Sequence, residues 1–143
     1  MKKFKKKQFK REEVKKRGLK RFFNSFSYSF AGLVYAYKYE QSMFIHFVLT
    51  VVAVILGLVL EINAIEWLLI CISMGVVLVI ELLNTSIEAV VDLVTLDIEP
   101  LAKIAKDTGS AATFVTGLIA AIIGAIIFIP KIMALLEVLW KKN

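Results

Sequence analysis

The chain has 143 residues, 59% of them hydrophobic, with a net charge of +6 and one cysteine, Cys71, which has no partner for an intrachain disulfide. Soluble domains average about 45–50% apolar, and the excess here is gathered into runs too long for a chain that faces water. These features exclude an ordinary soluble domain and point to lipid as the solvent.

The first segment, residues 1 to about 18, is a basic head ending near Gly18. Met1 to Arg21 carries twelve Lys and Arg against Glu12 and Glu13, a net +10 that leaves the rest of the chain at −4. Clustered Lys and Arg neutralise phosphates of any kind, nucleic acid included. Beside apolar runs of membrane length the nearer phosphates are anionic lipid headgroups, so the expected partner is a lipid surface and not nucleic acid.

Residues 19–40 keep a helical period. Leu19, Phe22, Phe23, Phe26, Phe30, Leu33 and Tyr37 recur every three or four positions, while Lys20, Asn24, Ser27 and Lys38 fall elsewhere on the wheel. The pattern predicts an amphipathic helix lying on the membrane.

Three runs then meet the length of ~17–25 apolar residues that a helix needs to cross the hydrocarbon core. They are Met43 to Leu60, Ala64 to about Asn84, and Ala111 to Ile129. The first begins too far into the chain for a signal peptide, and three such runs are too many. The positive-inside rule places the basic head in the cytoplasm. The Glu61-Ile62-Asn63 connection then lies outside, and the Thr95 to Thr108 connection, with Lys103 and Lys106, returns inside. Lys141 and Lys142 emerge outside, outweighed by the larger N-terminal excess. Residues 41–130 thus form a transmembrane domain, with a short tail over 131–143.

The second helix outlasts its hydrophobicity. Glu81, Asn84, Glu88 and Asp92 are spaced by three and four, which gives one polar stripe on a helix running past the lipid core, with Pro100 marking the end of that segment. Gly117, Ala121 and Ala125 in the third span permit close helix contact. Asp107, Thr108 and Ser110 are expected as helix caps, and His46 as a helix-contact residue.

A carboxylate in a membrane helix costs about 2.5–3.5 kcal/mol at the bilayer centre, so these acids call for a reason. The topology brings Glu40, Glu81, Asn84, Glu88, Lys106 and Asp107 to one depth at the cytoplasmic boundary. Carboxylates without clustered His or Cys suit Mg²⁺ held together with substrate phosphates. A further carboxylate can accept a proton from a hydroxyl, and a Lys can neutralise phosphate charge. The same residues could equally form a polar network that locks helices together, and spacing does not choose between the two. Neither a Walker A loop, a G-x-G-x-x-G turn nor a Ser-His-Asp arrangement occurs, which excludes the familiar soluble kinase folds.

The run Glu81-Leu82-Leu83-Asn84-Thr85-Ser86-Ile87-Glu88-Ala89-Val90-Val91-Asp92, with Ala105-Lys106-Asp107-Thr108-Gly109-Ser110-Ala111-Ala112 after it, resembles the signature of the small prokaryotic integral-membrane diacylglycerol kinases. The resemblance extends from about Arg21 to Ile129. It implies an all-α membrane protein in a bacterial plasma membrane, three transmembrane helices and a surface helix per subunit, assembled as a homotrimer with active sites shared between neighbours. It implies transfer of the ATP γ-phosphate to a lipid alcohol with Mg²⁺ as cofactor. Glu81 matches the general base of the family, and Glu40 and Glu88 match its metal-binding acids. Asn84 matches another active-site polar residue, and Asp92 continues the same stripe. Lys106 and Asp107 match nucleotide-binding positions, with Arg21, Tyr28, Asp97 and Glu99, and the acids Glu40 and Glu88, as further ATP contacts. Ser110 aligns near the lipid, which Arg21 and Glu81 also face.

The basic head, Asn84-Thr85-Ser86 and the Glu99-Pro100-Leu101-Ala102-Lys103 approach to Lys106 look like the Gram-positive branch of that family, which favours undecaprenol over diacylglycerol as acceptor. Diacylglycerol is the alternative acceptor, since both lipids present a primary hydroxyl at the interface. From another class, a non-catalytic accessory protein or an acid-lined channel remains as a reading. A channel expects ionisable residues along a continuous path, and the outer half of the spans has only Glu66.

Overall fold

A computed structural model describes residues 18–141. Apart from Gly18, the basic head lies outside the described residues. Four helices run in the order α1 Leu19–Tyr39, α2 Gln41–Val59, α3 Ala64–Val94 and α4 Pro100–Lys141. Among the described residues α2, α3 and α4 are long and apolar enough to cross a membrane, and the chain is a multi-pass membrane protein.

The chain divides between Tyr35 and Ala36 into two compact units. In the first, α1 stacks its own aromatic rings. Phe22 meets Phe23 and Phe26 edge to face at 5.8 and 5.2 Å, and Ser29 returns its hydroxyl to the Ser25 carbonyl at 3.0 Å.

In the second unit α4 packs most extensively on α3. Its buried core gathers Ile62, Ile70, Ile127 and Phe128, with Trp67 and Ile132 against them. Gly57 is needed in α2 because a Cβ there would approach the Trp67 ring to 2.7 Å. The α2–α3 connection turns through Glu61 at φ 48°. Asn63 then caps α3, accepting from the backbone N–H groups of Ile65 and Glu66 at 2.9 and 3.0 Å, while the Glu66 carboxylate accepts from the Asn63 N–H at 2.7 Å. Three backbone donors at the helix start are satisfied, those of Asn63 and Glu66 reciprocally. Lys131 of α4 lies 3.2 Å from the same Glu66 carboxylate, so one acid joins the cap of α3 to α4.

The helix limits differ from the sequence expectation at three places. The segment after the second span ends at Val94, with Thr95 extended at φ −154°, and Pro100 opens α4. A proline at the first helical position has no hydrogen bond to lose, and its fixed φ already suits the helix. Asp107, Thr108 and Ser110 consequently lie inside α4 and are not caps. Thr108 sends its hydroxyl back to the Ile104 carbonyl at 2.8 Å, a bond that a helix interior accommodates. Residues 131–141, expected as a tail, continue α4 through Pro130 to Lys141.

Candidate functional site

Glu81 is the most deeply placed acid of the stripe, 4% exposed. Burial of a carboxylate is costly unless its oxygens are hydrogen-bonded. Ser42 of α2 donates its hydroxyl to Oε1 of Glu81. His46, one turn further along α2, brings Nε2 to 3.9 Å from Oε2, too far for a direct hydrogen bond. Both oxygens of Glu81 therefore face polar groups of α2.

One turn along α3, Asn84 is also buried and donates Nδ2–H to Oε1 of Glu88 at 3.0 Å. Its Oδ1 is buried without a donor. That oxygen abuts Gly109 of α4, where any Cβ would collide with it. The close approach of α4 to α3 at this level thus depends on Gly109 and turns the donor end of Asn84 toward Glu88.

These groups line a cleft of about 640 Å³ in which Glu40, Glu81, Asn84, Glu88 and Ser110 come together with Ser42 and His46. Three carboxylates share it, and no Lys or Arg among the described residues lines it. Such a site attracts a cation. Among the described residues no three His, Cys, Asp or Glu form a metal-holding group by themselves. Mg²⁺ needs only one or two carboxylates when substrate phosphates complete its shell, and Glu40 and Glu88 fit that demand.

The remaining expected residues form a second recess, of about 450 Å³, lined by Asp92, Asp97, Glu99, Lys106 and Asp107. Lys106 Nζ lies 2.9 Å from Oδ1 of Asp92, and Glu88 adds its own attraction to the same ammonium. Lys103 pairs with Asp107 one turn away on α4. The set expected at one depth is therefore split. Asp92 lies eleven residues beyond Glu81, ~16 Å along the helix axis, and Lys106 is held there. Arg21 and Tyr28 belong to α1 in the separate first unit, with Tyr28 exposed.

Ser42 was absent from the expected site, and His46 was expected as a packing residue. Their spacing of four at the start of an otherwise apolar helix puts them on one face, and this was the available signal.

Comparison with known proteins gives this geometry a context. The family described as prokaryotic diacylglycerol kinase matches residues 27–128, the stretch containing every residue of both recesses. An undecaprenol kinase of Bacillus subtilis is 40% identical over 114 residues, covering 80% of this chain and 93% of that protein. A diacylglycerol kinase of Pseudomonas aeruginosa is 42% identical over 98 residues, covering 68% and 80%. A diacylglycerol kinase of Escherichia coli K12 is 34% identical over 105 residues, covering 73% and 86%. A match across most of the chain, with the acidic cleft inside the matched stretch, means that this lipid kinase belongs to the prokaryotic diacylglycerol kinase family.

Proposed function

We propose that the chain transfers the γ-phosphate of ATP to undecaprenol, with Glu81 as general base and Glu40 and Glu88 holding Mg²⁺. The observation that carries this reading is the cleft itself: two acids of α3 and Glu40 from the junction of α1 and α2, with no Lys or Arg among the described residues lining it, at one end of an apolar bundle. Undecaprenol is preferred because the relative of that name is matched over 93% of its own length. Diacylglycerol is the second reading, favoured by the similar identity to the Pseudomonas aeruginosa protein.

Phosphoryl transfer depends chiefly on positioning and on neutralising charge. In this reading the lipid hydroxyl enters beside Glu81, whose carboxylate accepts its proton as the oxygen attacks the γ-phosphorus and the bond from that phosphorus to the bridging oxygen breaks, releasing ADP. Ser42 holds the orientation of that carboxylate, and Asn84 holds Glu88. Mg²⁺ bound with ATP would balance negative charge on the phosphates. Lys106 in the adjoining recess binds phosphate by exchanging its partner Asp92, with Asp97, Glu99, Asp107, Arg21 and Tyr28 as further nucleotide contacts and Ser110 beside the lipid.

The same reading has the N-terminus in the cytoplasm, α1 on the membrane surface with the basic head against anionic headgroups, and three subunits sharing their active sites. Purified protein supplied with MgATP should phosphorylate undecaprenol faster than diacylglycerol in one detergent system. Faster transfer to diacylglycerol would reverse the acceptor assignment, and failure to label either lipid would reject the reading.

A further inference from the structure

We infer that Lys131–Lys141, the part of α4 beyond Pro130, is a second membrane-interfacial helix, seated in the headgroup boundary at the end of the bundle opposite the acidic cleft. The first support is length. Helix α4 has 42 residues, a rise of ~63 Å, about twice the ~30 Å hydrocarbon core. Ser110 lines the acidic cleft, and Lys131 lies twenty-one residues further on, ~32 Å along the axis. One membrane thickness therefore separates the cleft from Lys131.

The second support fixes that boundary independently. Lys131 lies 3.2 Å from the Glu66 carboxylate, which is itself part of the capping box at the start of α3. Two charged groups and a helix cap mark the far edge of the apolar bundle at the level where α3 begins.

The third support is the amphipathic character of the segment. On a helical wheel Lys131, Glu137 and Lys141 fall within one third of the circumference, with Ala134 and Val138 between them, and the remaining two thirds carries Ile132, Met133, Leu135, Leu136, Leu139 and Trp140. From Met133 onward these apolar side chains are exposed, Trp140 by 84%. Projecting straight on, the segment would carry this face about 15 Å into water. A wide apolar arc, a narrow charged stripe and a terminal Trp-Lys pair suit the plane of the interface instead. Pro130 supplies the pivot, since it has no N–H for the Ile126 carbonyl and lets the helix bend there. The family match ends at residue 128, so this surface belongs to the part of the chain that the match leaves unassigned.

The test uses the whole protein in phosphatidylcholine nanodiscs. With Trp67→Phe, Trp140 is the sole tryptophan. Nitroxides near the headgroup should quench it more strongly than nitroxides deep in the acyl chains, and aqueous acrylamide should quench it several-fold less than free indole. A nitroxide placed by Trp140→Cys in a Cys71→Ser background should likewise relax faster with oxygen than with a water-soluble nickel chelate, and this arm stands if Trp67→Phe impairs folding. Full acrylamide access, or nickel relaxation exceeding oxygen, would put the segment in water and overturn the proposal. Efficient disulfide formation between subunits through Leu136→Cys in the same background would overturn it in favour of a second copy covering the face.

Discussion

Ser42 donates a hydrogen bond to Glu81 across 39 positions of sequence, tying the opening turn of α2 to the buried acid of α3. A hydrogen bond to a charged group contributes about 1.5–3 kcal/mol. Ser42→Ala should therefore lower kcat by roughly tenfold or more. The KM for MgATP should stay within about twofold, because Ser42 orients the base and does not touch nucleotide in this account. Steady-state kinetics with each substrate varied in turn would check the split.

For Glu88 the expectation concerns metal. Glu88→Gln keeps the size of the side chain and leaves Asn84 an acceptor oxygen, so the fold should persist. Losing the anionic ligand should abolish MgATP-dependent transfer. Normal activity with an unchanged magnesium titration would remove Glu88 from the metal site.

The Lys106–Asp92 pair is exposed on both sides, and such pairs contribute about 0–1 kcal/mol to stability. Lys106→Ala should leave thermal unfolding nearly unchanged while raising the KM for MgATP by about tenfold or more. Lower stability with an unaltered KM would make the lysine a structural partner of Asp92 only.

Orientation can be read by labelling intact cells. In a Cys71→Ser background, Lys103→Cys should resist an impermeant thiol reagent and Glu61→Cys should react. Glu61 is chosen because it is exposed, and replacing it spares the Asn63 cap. The opposite pattern would place the acidic cleft on the side away from ATP.

The three spans were legible because runs of apolar residues at membrane length have few other uses. That Glu81, Asn84 and Glu88 share one face was legible for a related reason, since polar residues at helical spacing imply a common face, and the three line one cleft. The helix limits beyond the lipid were harder. Pro100 serves equally to stop one helix or start the next, and the decision rests on Thr95 turning extended. The pairing of Lys106 with Asp92 joins two helices across their connection, where no periodicity speaks. The parts of Ser42 and His46 were hidden because they depend on which face of α3 these side chains meet.

The most direct measurement of the central claim is turnover by Glu81→Gln, with MgATP binding and assembly monitored on the same sample. A lipid alcohol is protonated at neutral pH, so its attack on phosphorus calls for an acceptor within hydrogen-bond reach. Glu81 stands ~10 Å along α3 from Glu88, toward the apolar body of the bundle, where the proposed reaction brings the lipid hydroxyl. The variant should fold, assemble and bind MgATP like the parent, while turnover falls by about 10²–10⁴-fold. A folded variant that kept most of its activity would contradict the account and move the proton acceptor elsewhere.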